Sequence, residues 1–310
     1  MDYIIFIVAM AVLIKGADFV IEESERVALH YNISHFVIGA TLVALGTSLP
    51  EMAASMVASG SGKGDIAVSN IIGSNIINIS LVLGLVFLIS SKIMPSRDIF
   101  AKDSAWGLFP VMTFILISFD GIISRFEGFM FIMMMGAYLL FLINNDDDIT
   151  SEIDEDMSKE KFDWKRTGIY LFAGFVMVIV GANFTIESAT AIAKSFGVSE
   201  WIIGLLLIAL GTSLPELMVS LSAAKKGNGD MIIGNIIGSN VANFTVALGA
   251  AALVNPIMID LSKNAFDIVA VLVISVMLVF ISANRLYNKS AGLVLLIMMA
   301  LVVEHSVTHM

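Results

Sequence analysis

A 46-residue stretch of this chain occurs twice. Residues 39–84 and 204–249 align without a gap at a constant separation of 165 positions, and 24 of the 46 aligned residues are identical. The same separation pairs Gly16 with Gly181, so the similarity extends beyond the two segments. An internal duplication constrains the fold strongly, because both copies have to adopt a similar structure within one molecule.

The composition places both copies in a membrane. Hydrophobic residues make up 58% of the 310 residues, charged residues make up 14%, and the mean hydropathy is +0.92. Soluble domains have about 45–50% apolar and about 25% charged residues, and one soluble core cannot bury this much apolar surface. The composition excludes a disordered chain and a nucleic-acid-binding protein. The chain has no cysteine, which excludes disulfides and thiolate metal sites, and we expect no cofactor and no obligate protein partner.

Apolar runs separated by charged or turn-rich breaks predict an all-α integral membrane protein with ten transmembrane helices. The predicted spans are 2–22, 35–59, 65–90, 104–120, 126–143, 166–190, 199–223, 230–254, 265–284 and 289–304. The first span lacks a basic n-region and contains Lys15, which favours a membrane helix over a cleaved signal. The predicted units are a five-helix repeat at 1–143, an acidic loop at 144–165 and a second five-helix repeat at 166–310.

Five helices per copy is an odd number, so the second copy enters the membrane from the opposite side. Such inverted-topology repeats are typical of secondary transporters, whose substrate sites lie between the repeats at the midplane. Twelve Lys and Arg residues fall on the side of the 144–165 loop and four on the side of the N-terminus. The positive-inside rule then predicts a cytoplasmic loop and both termini outside the cell membrane. We interpret the acidic loop as a solvated linker, with a cation-sensing segment as the alternative.

Each copy carries the hexapeptide Gly-Thr-Ser-Leu-Pro-Glu near the middle of an apolar run. A proline inside a helix removes one hydrogen bond and clashes with the carbonyl four residues back, so both helices are expected to break. Carbonyls freed at membrane depth, here those of the Gly and Thr, are tolerated where they line a cavity or meet a cation. With the carboxylates of Glu51 and Glu216 they predict an oxygen-rich site of the kind that suits Ca²⁺.

The following helix of each copy carries Gly-Ser-Asn-x-x-Asn. Ser74 and Asn78 are four residues apart and share one helix face, and so do Ser239 and Asn243. Taken singly, such serines can bond their own helix and such asparagines can join two helices. The remaining asparagines are expected to bind backbone at the helix interface: Asn75 and Asn240.

Charge arithmetic suggests a mechanism. Two carboxylates carry two negative charges, which one Ca²⁺ can neutralise, and two or three Na⁺ spread over neighbouring oxygen sites can take its place. If both ions use the same carboxylates, they cannot be bound together, and this competition is the physical basis of exchange. An empty site with two uncompensated buried charges should resist the conformational step.

With these motifs, the sequence resembles the Ca²⁺/cation antiporter superfamily, and the Na⁺/Ca²⁺ exchanger branch in particular. The resemblance covers essentially the whole chain. It implies that Glu51 and Glu216 bind Ca²⁺ with the Thr47 and Thr212 carbonyls, and that Asn78 and Asn243 border the middle site. The implied flanking Na⁺ ligands are Ala44, Thr47, Ser48 and Ser74 in one copy, and Ala209, Thr212, Ser213 and Ser239 in the other.

The resemblance also implies three Na⁺ for each Ca²⁺ and a sliding of the first and sixth helices across the others. Asn243 stands where many microbial and K⁺-dependent relatives carry Asp, which argues against K⁺ coupling. A H⁺/Ca²⁺ or other divalent-cation exchanger on the same fold is the alternative. The predicted spans contain no Asp pair, Ser–His pair or His-x-x-x-His for a membrane enzyme, and inverted repeats favour alternating access over a channel.

Overall fold

The computed structural model describes residues 2–90, 93–146, 162–196 and 209–308. This part of the chain is helical apart from short turns and one pair of two-residue strands. The helices are α1 (Asp2–Tyr31), α2 (His35–Thr47), α3 (Leu49–Gly60), α4 (Gly64–Ile89), α5 (Ile99–Ile117), α6 (Arg125–Asn144), α7 (Trp164–Ser195), α8 (Ala209–Thr212), α9 (Leu214–Lys225), α10 (Gly229–Val254), α11 (Leu261–Ala283) and α12 (Lys289–Thr308). Strands β1 (Ile122–Ile123) and β2 (Ile257–Met258) pair antiparallel.

The described residues include seven helices that are long and apolar enough to cross a membrane, and eight if the bent pair α2–α3 is one span. The chain is therefore a multi-span integral membrane protein of the all-α class. Each predicted span overlaps helical structure, although the beginning of the span at 199–223 lies outside the described residues. So does most of the acidic loop, from 147 to 161.

Helix α1 is longer than the predicted span 2–22, because it continues to Tyr31. The sequence suggested an end where the charged residues begin. Arg26 lies 3.4 Å from the Glu22 carboxylate one turn earlier, and an ion pair at this spacing supports a helix beyond its apolar part.

Glycines allow α1 and α7 to cross in close contact. A Cβ atom at Gly16 would lie 2.9 Å from the carbonyl oxygen of Gly174, and one at Gly181 would lie 2.8 Å from the backbone nitrogen of Leu13. The two helices run antiparallel, and their far ends meet where the Trp164 indole donates a hydrogen bond to the Tyr31 hydroxyl. Close backbone approach at small residues is the usual basis of helix association in membranes.

A second set of glycine contacts repeats at equivalent positions of the two copies. Gly84 of α4 meets Gly292 of α12, and Gly249 of α10 meets Gly128 of α6. Gly84 and Gly249 correspond to each other at the separation found in the sequence. The duplication in sequence is therefore accompanied by a duplication in packing.

Arg97 has a different environment from the one that its position in a loop suggested. Arg97 is one of the twelve loop charges that predict orientation and is therefore expected to be solvated, but it is only 6% exposed. Its guanidinium nitrogens lie 2.6 and 3.1 Å from the two oxygens of Asp103 and donate to the Asn145 carbonyl at 2.9 Å. Arg97 thus joins the start of α5 to the end of α6.

Candidate cation site

Two helix breaks at equivalent positions form the centre of the candidate site. Ser48 separates α2 from α3, and Ser213 separates α8 from α9, with nearly the same dihedral angles (φ −85°, ψ 5° and φ −92°, ψ 5°). Each hexapeptide proline lies in the first turn of the new helix, where its missing N–H leaves no hydrogen bond unmade. The predicted breaks are confirmed, and α2 and α3 are bent by 47°.

The two glutamates lie in the first turns of α3 and α9. Both Glu51 and Glu216 are fully buried, with 0% exposure, and they are near enough to repel each other when both are charged. The N-terminal end of a helix carries a partial positive charge that favours a carboxylate. Each helix break thus supplies some of the compensation that a buried carboxylate needs.

Hydrogen bonds connect the two copies across the site. The Ser48 hydroxyl donates to Oε1 of Glu216 at 3.0 Å, and the Asn78 amide donates to Oδ1 of Asn240 at 3.1 Å. Thr47 and Ser239 also lie beside the Glu216 carboxyl group. The structure thus brings residues of both duplicated segments to one place.

Many polar atoms of this region are buried without a hydrogen-bond partner. Such atoms are rare in proteins and costly, because they lose their bonds to water. Nine belong to predicted site residues: Oε1 and Oε2 of Glu51, Oε2 of Glu216, Oγ of Ser74, Ser213 and Ser239, Oδ1 of Asn78, and Oδ1 and Nδ2 of Asn243. Eight of the nine are oxygens, the donor type that Ca²⁺ and Na⁺ prefer.

The described residues hold no group of three or more His, Cys, Asp or Glu side chains placed to bind a metal ion. A cation in this region would therefore meet the two carboxylates and otherwise neutral oxygens. This agrees with the two negative charges counted from the sequence.

The other predicted residues differ in burial. Ala44, Thr47 and Ser48 are fully buried around the first break, whereas Thr212 at the second break is partly buried. Ala209 lies in α8, and its side chain lies outside the described residues.

The expectation for the intervening asparagines is confirmed for one residue and wrong for the other. The Asn75 amide donates to the carbonyl of Ile71 at 2.7 Å, a backbone bond as expected. Asn240 instead accepts the side-chain amide of Asn78. The reason is the crossing of α4 and α10, which brings the two asparagines together and which helix periodicity alone does not define.

Two features of the site were not anticipated. Helices α4 and α10 become π-helical from Asn78 and from Asn243, which are equivalent positions, and π-helical turns are frequent at functional sites.

The second feature is a pair of equivalent hydrogen bonds: the Asn70 amide donates to the Ser55 hydroxyl at 3.0 Å, and the equivalent Asn235 donates to Ser220 at 3.3 Å. The identity of these polar residues in both copies was the available signal for the second feature.

Comparison with known proteins agrees with this architecture. The sequence pattern of the family described as "Sodium/calcium exchanger protein" matches residues 1–144 and 167–308. The chain belongs to the sodium/calcium exchanger family. The two matched segments coincide with the two halves on either side of the acidic loop, so each half carries the family pattern.

Relatives of this exchanger-family chain extend over nearly its whole length. It is 38% identical to an uncharacterised membrane protein of Methanocaldococcus jannaschii, over 92% of this chain and 90% of that protein. It is 32% identical to the putative antiporter CaxA of Alkalimonas amylolytica, over 94% of each. A solved structure of the sodium-calcium exchanger NCX_Mj superposes with a TM-score of 0.84 at 33% identity and covers 98% of both chains.

Proposed function

We propose that this protein is a secondary antiporter that exchanges Na⁺ for Ca²⁺ across the cell membrane. One observation carries the proposal: two carboxylates, Glu51 and Glu216, are fully buried, and both copies of the duplicated segment contribute further buried oxygens without a hydrogen-bond partner. A buried, uncompensated charge is strongly unfavourable, and a bound cation would remove that cost. Membership of the exchanger family and the likeness to NCX_Mj support the same ions.

The proposed Ca²⁺ ligands are Glu51, Glu216 and the carbonyls of Thr47 and Thr212, with Asn78 and Asn243 beside them. The proposed Na⁺ sites flank this position. Their ligands are Ala44, Thr47, Ser48 and Ser74 on one side, and Ala209, Thr212, Ser213 and Ser239 on the other.

Exchange follows from sharing the carboxylates. Ca²⁺ neutralises both glutamates, and Na⁺ ions neutralise them one charge at a time, so the two cargoes compete for the same oxygens. Either load lowers the electrostatic cost of exposing the site to the opposite side. At three Na⁺ for one Ca²⁺, each cycle would move one net positive charge across the membrane.

We infer a membrane topology of ten spans in two inverted sets, 1–143 and 166–310, joined by the loop 144–165. The duplicated hexapeptides and the equivalent glycine contacts of α4 and α10 support a two-fold relation between the halves. The excess of Lys and Arg on the side of the loop supports a cytoplasmic loop, with both termini outside.

The decisive experiment is uptake of ⁴⁵Ca²⁺ by proteoliposomes under separately imposed gradients of Na⁺, K⁺ and H⁺. We expect an outward Na⁺ gradient to drive uptake at fixed pH when an ionophore has collapsed the proton gradient. If a pH gradient alone drives uptake, the protein is a H⁺/Ca²⁺ exchanger. A requirement for K⁺ in addition to Na⁺ would contradict the absence of K⁺ coupling.

Clamping the membrane potential with valinomycin and K⁺ tests the stoichiometry in the same vesicles. An interior positive potential should slow net Na⁺ entry in exchange for Ca²⁺ if three Na⁺ move per Ca²⁺. Flux that is independent of potential would indicate two Na⁺ per Ca²⁺.

A further inference from the structure

We propose that Asn235, which is not among the expected cation ligands, is a positioning residue that strengthens Na⁺ binding at the first helix break. The inference rests on the proposed Na⁺/Ca²⁺ exchange. Its structural basis is one hydrogen bond between the two copies of the repeat. The Thr47 hydroxyl, at the end of α2, donates to Oδ1 of Asn235 in α10 at 3.4 Å.

Asn235 is held in place from its other end. Its amide nitrogen donates to the Ser220 hydroxyl at 3.3 Å, and Ser220 lies one turn after Glu216 in α9. Asn235 is 1% exposed, and Thr47 and Ser220 are 0% exposed, so bulk solvent does not reach these groups. A side-chain amide offers both donors and an acceptor, and this one connects α2, α9 and α10.

The Thr47 hydroxyl has two neutral hydrogen-bond acceptors, and the Glu216 carboxylate beside it is a third acceptor that a bound cation would occupy. It lies 3.3 Å from the carbonyl oxygen of Ala44 on its own helix and 3.4 Å from Oδ1 of Asn235. A hydroxyl has one proton to donate, so it fully satisfies one acceptor at a time. The Ala44 carbonyl is also one of the proposed Na⁺ ligands, so the hydroxyl and the cation compete for it.

Asn235 resolves this competition. When Na⁺ binds the Ala44 carbonyl, the Thr47 proton moves to Asn235 and stays hydrogen-bonded. With the Glu216 carboxylate engaged by the bound cation and the Asn235 oxygen removed, the displaced hydroxyl would be left without an acceptor, and Na⁺ binding would cost one hydrogen bond. A lost hydrogen bond between neutral groups corresponds to about a fivefold change in affinity.

The first copy supplies a matched control. Asn70 corresponds to Asn235, lies in α4 and donates to Ser55 as Asn235 donates to Ser220. Its second bond goes to the Glu51 carbonyl at 3.4 Å, and within the part of the chain that the structure describes it has no bond to Thr212. Replacing Asn70 therefore removes the contact to the serine but leaves the Thr47 hydroxyl unaffected.

The test measures the half-saturating concentrations of Na⁺ and of Ca²⁺ for exchange in proteoliposomes. Each ion is varied on one side of the vesicle membrane while the other ion is absent from that side. We expect Asn235→Ala to raise the half-saturating Na⁺ concentration about fivefold and to change that of Ca²⁺ less than twofold. Asn70→Ala should leave the ratio of the two constants within twofold of the wild-type ratio. Equal increases for both ions, or the same ratio change from Asn70→Ala, would overturn the proposal, since each is typical of a purely structural role.

A double-mutant cycle with Thr47→Val makes the test sharper. Valine has no hydroxyl, so the proton that needs Asn235 is gone. Whatever Thr47→Val does alone, Asn235→Ala should then have no further effect on the Na⁺ constant. A persistent fivefold effect in the valine background would show that Asn235 acts without Thr47 and would refute the inference.

The remaining outcomes are also informative. If Asn235→Ala does not fold, the near-isosteric Asn235→Leu has the same expected constants. If the wild-type protein transports Ca²⁺ without Na⁺, the proposed function fails. If the wild-type protein exchanges Na⁺ for Ca²⁺ but the effects of Asn235→Ala and Thr47→Val simply add, only the proposed role of Asn235 is refuted.

Discussion

Replacing one buried carboxylate should abolish Ca²⁺ transport while leaving the fold intact. In Glu216→Gln, the side chain keeps its shape, and its amide oxygen can still accept the Ser48 hydroxyl, which bonds Oε1 at 3.0 Å. The loss is therefore mainly one of charge. Glu51→Gln is the equivalent change in the other copy, where both carboxylate oxygens are buried without a partner.

The size of the effect follows from electrostatics. Ca²⁺ lies about 2.4 Å from a carboxylate oxygen, and at an effective dielectric constant of about 20 the gross attraction is about 14 kcal/mol. Desolvation of the ions cancels most of it, at several kcal/mol for each ion. A remainder of about 4 kcal/mol corresponds to about a thousandfold weaker binding. Uptake at the wild-type half-saturating Ca²⁺ concentration should then fall below about 1%.

The assay combines ⁴⁵Ca²⁺ uptake by proteoliposomes with equilibrium Ca²⁺ binding to the purified protein. Glu304→Gln is the matched control, since it makes the same chemical change at an exposed position near the end of α12. Circular dichroism and a monodisperse gel-filtration peak establish that the variants are folded. Wild-type uptake by either Glu51→Gln or Glu216→Gln would refute the assignment of the site.

Three further predictions concern other parts of the molecule. Asn243→Asp should make exchange more sensitive to pH, because it adds a third buried carboxyl group; an unchanged pH profile of Na⁺-driven uptake would count against this. Saturating Ca²⁺ should stabilise the protein by about 2.7 kcal/mol at a hundred times its Kd, seen as a higher thermal midpoint that EGTA reverses; an unchanged midpoint would contradict binding at these oxygens. Deletion of 147–158 should preserve exchange because it spares Asp146, whose carboxylate accepts the Ser34 backbone amide at the start of α2; a correctly inserted but inactive deletion would disprove the linker interpretation.

The helix breaks and carboxylates could be predicted because their signals are local. A proline and a glutamate in the middle of an apolar run conflict with a regular membrane helix, and their repetition removes coincidence. Ser48 and Ser213 accordingly occupy the breaks, and Glu51 and Glu216 begin the helices that follow.

The features that could not be predicted depend on contacts between distant segments. Asn240 bonds Asn78 because α4 and α10 cross there, and Arg97 is buried because Asp103 and the end of α6 surround it. The π-helical turns at equivalent positions of α4 and α10 carry no distinct residue pattern of their own. In each case the sequence identifies the polar residue, but the partner comes from tertiary structure.

The glycine contacts between α1 and α7 have a mechanical consequence. At Gly16, Gly174 and Gly181, a Cβ atom would lie within 3.1 Å of backbone atoms of the other helix, so a larger residue there would force the two helices apart. We therefore expect α1 and α7 to move together as one unit relative to the rest of the bundle. The contact between α1 of the first copy and α7 of the second is thus a direct one between backbones at their crossing.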